Sequence, residues 1–392
     1  MKKRVIFTAM VLMTGWTLAG CGNENAAATE PIAQETEAPV TSASEENIET
    51  EEVQEEEATE VTASIDASVQ YEDPDTLPQY TYQGTEEYLD VISDYMVTTY
   101  AQESFGDEAD VFIPYSIIAE TDETNPEDIL VYGEYDIDGY DLRNSTLTSS
   151  CGARNRGVFH LKKDESGNIS VTDADLPPTD EESEELFAPV EAAYEKLTAL
   201  SDEEVTAVRA TAIAEYINTN GLYITQWQDY GRKPVTVLNA PETPEDEQFY
   251  DYKSSLGYEI TYDLREFSVD ESSDSDMFGK VEEEYTGTFM VVQKAASGDA
   301  AAALTDAASE SGISDVEITD AVIGDGIACS RAAWDEKLED GRIFRYIGYS
   351  VSTDEDVLVL LLETTCEDGG NEMSEEELDQ LFEDTLSTFE PV

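Results

Sequence analysis

The feature that most limits the possible folds of this chain is a long stretch without basic side chains. No Lys or Arg occurs between Arg4 and Arg143, and residues 22–82 carry 17 acidic side chains. Within that stretch, residues 49–57 are mostly acidic and have no apolar stripe that a helix or strand could bury. So little buried apolar surface cannot offset the entropy lost when the segment is ordered. We therefore predict a disordered acidic tether up to residue 82 and a fold confined to residues 83–392.

The charge and the residue counts of the whole chain exclude several classes of protein. It has 90 acidic and 20 basic residues, which give a formal net charge of −70 at pH 7. A protein that binds a phosphate backbone needs a basic surface, so we expect no nucleic-acid partner. One histidine and four scattered cysteines leave no multi-histidine metal site and no paired-cysteine zinc site. We therefore predict no metal and no cofactor.

The N-terminal residues have the pattern of an export signal. Residues 2–4 are cationic, and residues 5–18 form an uncharged, mostly apolar run of fourteen residues. A run of that length is too short to span a bilayer comfortably and is typical of the core of a signal peptide. We predict a signal peptide at residues 1–20.

The end of this segment, Leu18-Ala19-Gly20-Cys21, resembles the bacterial lipobox. The resemblance implies cleavage before Cys21 and lipidation of its thiol, with acyl chains such as palmitate holding the protein on the membrane. The mature chain would then carry 17 basic and 90 acidic residues, a net charge of −73. It has no polybasic segment beside the lipid, so the acyl chains must anchor it alone. The expected location is the extracytoplasmic face of the cell membrane, with the lipid-bearing Cys21 and the tether occupying residues 21–82.

Residues 83–240 alternate between helical and extended patterns, which predicts an α+β domain. Thr85 is placed to cap a first helix, and a Ser201…Glu204 capping box begins the last one. Strands are predicted at about 110–120, 128–142, 157–163 and 168–173. A further helix is predicted after the last of these strands and before Ser201, with the apolar residues Leu186, Val190, Tyr194 and Leu197. In the second strand, apolar residues alternate with Tyr132, Glu134, Asp136 and Asp138, which predicts one buried face and one solvated face.

This layout resembles cystatin-like and nuclear-transport-factor-like domains, in which a curved sheet forms a cone over helices. The segment from Cys151 to Lys163, which includes Cys151-Gly152-Ala153-Arg154-Asn155-Arg156-Gly157, is similar to surface lipoproteins of clostridial Firmicutes whose function is uncharacterised. Neither resemblance implies an activity.

Three prolines, Pro234, Pro241 and Pro244, punctuate an acidic stretch that predicts a domain boundary near residue 240. Residues 241–392 then predict strands, an Ala-rich helix near 299–310, further antiparallel strands, and a closing helix that begins at a Ser374…Glu377 capping box. The opening motif Leu256-Gly257-Tyr258-Glu259-Ile260-Thr261-Tyr262-Asp263, with Phe267 and the final Phe389, resembles the PsbP-like α/β/α sandwich. The fold class predicted for the whole chain is α+β, with two α+β domains, each with helices packed on a mainly antiparallel sheet.

Candidate catalytic and metal-binding residues are few. His160 follows Cys151 by nine residues, but a Cys–His nucleophile needs both side chains within hydrogen-bond reach and a third group to orient them. We predict a half-buried strand histidine and a loop cysteine instead. The segment from Glu134 to Gly139 resembles a calcium loop but lacks Asp or Asn at the first position and Glu at the twelfth. Residues 270–276 are interpreted as a solvated acidic loop.

The last two cysteines are predicted to be free. A meander over residues 326–364 places Cys329 opposite about Ser350 and Gly341 opposite about Cys366. The two thiols then lie at opposite ends of the ribbon, roughly 30 Å apart at 3.3 Å per residue, whereas a disulfide needs Cα atoms within about 7 Å. Cys151 is predicted to be free as well.

Together these features favour a lipid-anchored protein that acts by binding an unknown protein or cell-wall partner. No catalytic motif such as Gly-x-Ser-x-Gly or His-Glu-x-x-His occurs in the sequence, so catalysis is not expected. Two alternatives remain open. One is an enzyme or small-ligand pocket in the domain at residues 83–240, and the other is an acidic sequestrant of divalent cations.

Overall fold

The computed structural model describes residues 64–66, 69, 71, 72, 74, 76–281, 287–337, 342–353, 356–366 and 373–392. The predicted signal peptide, Cys21 and most of the predicted tether lie outside these residues. The described chain has an α+β fold, as the sequence predicts.

The secondary structure follows the predicted order of elements with several additions. The helices are α1 (Leu89–Tyr95), α2 (Ala101–Ser104), α3 (Asp180–Leu186), α4 (Glu191–Thr198), α5 (Asp202–Asn220), α6 (Ala300–Glu310) and α7 (Glu375–Ser387), with a π-helical turn at Met96–Tyr100 and 3₁₀ turns at Ala188–Val190 and Glu245–Gln248. The strands are β1 (Val111–Asp122), β2 (Ile129–Arg143), β3 (Thr146–Lys163), β4 (Ile169–Asp175), β5 (Gln226–Gln228), β6 (Val235–Thr236), β7 (Phe249–Ser254), β8 (Tyr258–Asp263), β9 (Phe267–Glu271), β10 (Ser275–Lys280), β11 (Phe289–Lys294), β12 (Thr319–Ile323), β13 (Ile327–Lys337), β14 (Ile343–Ser352), β15 (Val357–Cys366) and β16 (Glu390–Pro391).

These strands form three sheets. The first has the order β1-β2-β3-β5-β6, and β4 also pairs with β3. The second has seven antiparallel strands in the order β12-β13-β14-β15-β11-β10-β9, and the third is β16-β8-β7. Three register shifts interrupt the first sheet, one in each of its pairs β1/β2, β2/β3 and β3/β4. Such bulges bend a strand and increase its twist.

Local capping chemistry determines where the longest helices begin. Ser201 and Ser374 each form the predicted capping box, with the side chain of the third helical residue, Glu204 or Glu377, bonded back to the serine. The prediction for the first helix was wrong, because α1 begins at Leu89 after Tyr88 and not at Thr85. The single helix predicted through Val190 is also wrong, since Pro189 lies in a 3₁₀ turn that separates α3 from α4.

Strand β3 is much longer than the sequence indicates. It begins at Thr146 and pairs with β2 along its length, so Cys151 lies on a strand and not in the predicted loop. Asn144 makes the tight turn between the two strands with a φ of 53°, a left-handed conformation that asparagine tolerates. The apolar alternation that marks a strand is absent from residues 149–157, where Arg154 and Arg156 lie opposite the acidic residues Asp136 and Glu134.

The seven-stranded sheet is covered by a helix on each face. Helix α6 packs on Trp334, Val357 and Val359, whereas α7 packs on the opposite face against Ile347 and Leu360. This is the helix–sheet–helix arrangement that the PsbP-like resemblance implies for residues 241–392.

The meander within this sheet is confirmed, with its register shifted slightly from the prediction. Ser350 lies opposite Ser330 where Cys329 was predicted, and Cys366 lies opposite Ile343 where Gly341 was predicted. Strand β14 separates the strands of Cys329 and Cys366. Cys151 and Cys329 are free, as predicted.

The acidic stretch at residues 270–276 is the predicted solvated loop only in part, because residues 270–274 are exposed whereas Asp276 is not. It contains the end of β9 and the start of β10, and the carboxylate of Asp276 is buried. The Tyr258 hydroxyl donates a hydrogen bond of 2.6 Å to Asp276, and the Ser254 hydroxyl donates another. Two hydroxyl donors replace the water that this carboxylate would otherwise bind.

Some residues before residue 83 are packed against the first sheet. Ile65 and Tyr80 are buried in the core of the first sheet, the Ile65 N–H donates to the Leu238 carbonyl, and Tyr80 stacks on Tyr216 of α5. The prediction of a tether up to residue 82 is therefore wrong for these described residues, because their apolar and aromatic side chains are buried in the core.

Candidate functional site

The most unusual group of side chains in the molecule is a buried row of carboxylates on β2. Glu134, Asp136 and Asp138 are 1%, 2% and 6% exposed, although the alternation of β2 predicts them on a solvated face. This prediction was wrong because α4 contacts β1 and β2, and α5 contacts β1, on this side of the sheet. We refer to these three residues, with the arginines that contact them, as the charged cluster.

Glu134 is held between two guanidinium groups from the neighbouring strand. Its Oε1 accepts hydrogen bonds from Nε and Nη2 of Arg154, at 2.9 and 2.6 Å, and its Oε2 accepts one from Nε of Arg156 at 2.8 Å. Arg156 also reaches Asp180 at the start of α3, with an Nη1–Oδ1 distance of 3.1 Å. The register of β3 against β2 places Arg156 directly opposite Glu134, so the ion pairs favour this register over its neighbours.

Asp138 is paired with an arginine from a helix. The Nε of Arg209 on α5 lies 2.8 Å from Asp138 Oδ2, and its two Nη atoms donate to both oxygens of Asp229 at 2.8 and 2.5 Å. The guanidinium also lies 4.3 Å from the centre of the Trp227 ring. A planar group that forms a two-pronged ion pair and stacks on an aromatic face uses the specific properties of arginine. Trp227 is thus a core aromatic residue.

A glycine makes room for this carboxylate. Gly152 on β3 lies opposite Asp138, and a Cβ atom at that position would be 2.6 Å from Asp138 Oδ1. Any other residue at this position would force Asp138 or the neighbouring backbone to shift. The charged cluster therefore requires glycine at position 152.

Asp136 is the member of the row that lacks a close cation. Its nearest charged partner is Arg154 Nε, 3.9 Å from Oδ2, and its Oδ1 has no hydrogen-bond donor among the residues that the structure describes. Burial, followed by the charge of Glu134, raises the pKa of Asp136 well above its usual value. Burial also raises the pKa of Tyr115, and the nearby charges of Asp138 and Asp136 raise it further. Asp136 is therefore the position in the cluster that favours a bound proton.

This arrangement gives the folded protein a specific pH dependence. A carboxyl group whose pKa is higher in the folded state keeps its proton better when folded, so its contribution to stability is present at low pH and is lost as the pH rises through the folded pKa. We expect Asp136→Asn, which is neutral at every pH, to be more stable than the wild type at pH 8 and similar to it at pH 4. Urea unfolding at the two pH values measures the difference.

The control for this variant is Asp320→Asn on β12, which removes one negative charge from an exposed position. It corrects for the general relief of repulsion in a chain with a net charge of −70. If Asp136→Asn gained no more stability at pH 8 than Asp320→Asn, the result would contradict a raised pKa of Asp136 in the folded protein.

Cys151 and His160, the candidate nucleophile pair of the sequence, are too far apart to contact each other. Cys151 and His160 both lie on β3, nine residues apart, which is roughly 30 Å along a strand. Burial raises the pKa of the Cys151 thiol to about 11, so the thiolate that would act as a nucleophile is disfavoured. His160 lies between two surface carboxylates, with Nδ1 2.8 Å from Asp128 and Nε2 3.4 Å from Asp175. Although partial burial opposes it, these two hydrogen bonds raise the pKa of His160.

Neither acidic segment forms a cation site in the described part of the chain. The residues from Glu134 to Asp138 form a regular strand, and Asp276 bonds to hydroxyl groups. Among the described residues, no group of three or more His, Cys, Asp or Glu side chains is arranged to hold a metal ion. Two surface depressions of about 390 and 410 Å³ lie elsewhere, beside Glu72 and Leu222 and beside Pro244 and Arg265.

Sequence reasoning missed the charged cluster, although one signal was present. Three acidic residues on one face of β2 alternate with apolar ones, and the following strand carries Arg154 and Arg156 with the same spacing of two. The contribution of Arg209 is not detectable in this way, because it comes from a helix far along the chain.

Comparisons with known proteins give little further information. No protein-family model matches the chain, and no curated protein matches it. A crystal structure of a protein from Bacteroides thetaiotaomicron VPI-5482 is similar over 34% of this chain and 45% of that chain, with 14% sequence identity and a TM-score of 0.24. The match thus covers less than half of that protein, and similarity of this degree identifies no family. Within the described residues, no helix is both long enough and apolar enough to cross a membrane.

Proposed function

We propose that this chain is a lipid-anchored protein of the extracytoplasmic face of a bacterial cell membrane. The observation that supports this is the order of the N-terminal sequence: a cationic start, an apolar run of fourteen residues, and Leu18-Ala19-Gly20-Cys21. Residue Cys21 is the lipidated position in this proposal. The acidic residues that follow it would hold the folded part away from the bilayer, since a segment of uniform charge repels itself and extends.

The second part of the proposal is that the folded part acts by binding a protein or cell-wall partner and not by catalysis. The arginines of the charged cluster support it, because they are already bonded to carboxylates of the same chain. Acidic side chains are left in large excess, with 40 acidic and 8 basic residues in positions 241–392 alone. A surface of this charge attracts a cationic partner and increases its rate of association. The helices on both faces of the seven-stranded sheet are also consistent with the PsbP-like resemblance, which carries no activity.

The anchor is tested with Cys21→Ser. We expect the variant to remain unprocessed or to be released into the medium, because serine cannot accept the diacylglycerol that a thiol carries. Partitioning into a detergent phase measures this, with Cys151→Ser as the matched control because it removes a thiol from the folded part. Cross-linking from intact cells should recover the binding partner with the wild type, and less of it with Cys21→Ser or at high salt. Unchanged detergent partitioning of Cys21→Ser would contradict the anchor.

A small-ligand site in the region of residues 83–240 is the alternative function, and Asp136 is the observation that favours it. A buried carboxylate oxygen without a donor is a group that a ligand with an N–H or O–H could satisfy. A compound that raises the melting temperature of the wild type but not of Asp136→Asn would identify this function, since a ligand that binds only the folded state stabilises it. Calcium-dependent melting would instead favour cation sequestration.

A further inference from the structure

A strip of half-buried apolar side chains lies beside α6 on the seven-stranded sheet. Leu361, Val291 and Met277 are directly opposite one another on β15, β11 and β10, so their side chains share one face. Helix α6 contacts β13, β14 and β15 on this face. At the other side, the Tyr230 hydroxyl lies over Gly279, 2.6 Å from the position of a Cβ atom there. The strip therefore lies on the sheet between α6 and Tyr230, and we refer to it as the groove.

A carboxylate lies at one end of this strip. Glu363 is two residues from Leu361 on β15, directly opposite both Tyr346 and Phe289. On β13, which β14 separates from β15, Glu336 accepts a hydrogen bond of 3.2 Å from the Tyr346 hydroxyl. Among the described residues, no Lys or Arg forms an ion pair with Glu363 or Glu336. In the charged cluster, by contrast, Glu134 and Asp138 are each paired with an arginine.

The protonation of Glu363 agrees with the lack of a cation. Burial, with a smaller effect from the charge of Glu336, raises the pKa of Glu363 to about 8. A carboxyl group in this setting binds a proton at neutral pH because no positive charge is close enough to replace it. A cation placed beside it would take the position of that proton.

The other parts of this protein are poor occupants of the groove. The stretch between Arg4 and Arg143 has no basic residue to present to Glu363. A second copy of a chain with a net charge of −70 is repelled over its whole surface. The groove instead suits a molecule with one positive charge and an apolar chain. The ring of Tyr346 adds a face that attracts an ammonium group.

We propose that the groove binds a small organic cation, with an ammonium group at Glu363 and Glu336 and an alkyl chain along Leu361, Val291 and Met277. The strip crosses two strand spacings, roughly 10 Å in total, which an octyl chain can cover. This site is separate from the lipid anchor, so the proposal does not depend on the fate of Cys21.

The test is a calorimetric titration of the whole chain with octyltrimethylammonium, which keeps its charge at every pH. We expect saturable binding that is at least tenfold tighter than that of tetramethylammonium, because the alkyl chain is buried. Octyl glucoside, which has the same chain and no charge, should bind at least tenfold more weakly than the octyl cation. Equal affinities for the octyl cation and octyl glucoside would overturn the proposal.

Variants separate this site from the general attraction of cations to an acidic protein. Glu363→Gln should lose at least tenfold in affinity, whereas Glu317→Gln, which removes the same charge from an exposed position, should bind as the wild type does. Met277→Gln should weaken the binding of octyltrimethylammonium and leave the binding of tetramethylammonium unchanged. Glutamine resembles a protonated glutamate, so Glu363→Gln is expected to fold. Equal losses in Glu363→Gln and Glu317→Gln would show that the binding is nonspecific and would overturn the proposal.

Discussion

Replacing Arg209 with methionine should lower the free energy of unfolding by about 3–5 kcal/mol, the usual cost of removing one partner from a buried ion pair. Methionine retains an apolar stem against Trp227 but leaves Asp138 buried without its cation, which lies 2.8 Å away in the wild type. It also removes both hydrogen bonds to Asp229. Urea unfolding of the wild type and the variant at pH 7 measures the loss.

The matched control is Lys253→Met, which breaks the exposed ion pair between Lys253 and Glu259 and should cause no measurable loss. Adding Asp138→Asn to the Arg209→Met variant should recover part of the stability, because a neutral amide needs no cation. A loss for Arg209→Met no larger than that for Lys253→Met would show that the charged cluster does not contribute to stability as described.

Replacing Arg143 with methionine should have the second largest effect, a loss of about 2–3 kcal/mol from buried hydrogen-bonding groups left without a partner. Arg143 lies at the end of β2, but its Nη1 donates to the Tyr262 hydroxyl at 2.7 Å and its Nη2 contacts Glu271 at 3.2 Å. Its guanidinium also faces the ring of Tyr250 at 5.8 Å. These partners all lie beyond residue 240, so the variant weakens the attachment between the two predicted domains.

We therefore expect Arg143→Met to be cut by protease near residues 236–248 sooner than the wild type is. Gel analysis of limited digests measures the rate, and Lys294→Met, which removes an exposed lysine paired with Asp356, is the control. The boundary near residue 240 stays a prediction that this variant tests. Equal cleavage rates in Arg143→Met and Lys294→Met would indicate that other contacts, such as the Gln228 amide with the Leu264 carbonyl at 2.7 Å, hold the two parts together.

The charged cluster could be predicted only in part. The spacing of Arg154 and Arg156 matches that of the acidic row on β2, and antiparallel pairing of adjacent strands would bring them together. The sequence does not reveal that α4 and α5 cover this face, and a strand with alternating apolar and acidic residues is ordinarily solvated on its polar side. Burial of such a face depends on which helix packs over it, which is a property of the tertiary structure.

The sequence by itself determined the features that depend on neighbours a few residues apart. Ser201 and Ser374 begin their helices because each reaches the third residue of its own first turn, and the strands of the meander follow the period of two that their side chains show. The tertiary structure decided which charged groups are buried and how they are paired. Arg209 meets Tyr140 across 69 residues and Arg143 meets Tyr262 across 119. Contacts over such separations depend on how the elements pack together, and no local pattern of residue types encodes them.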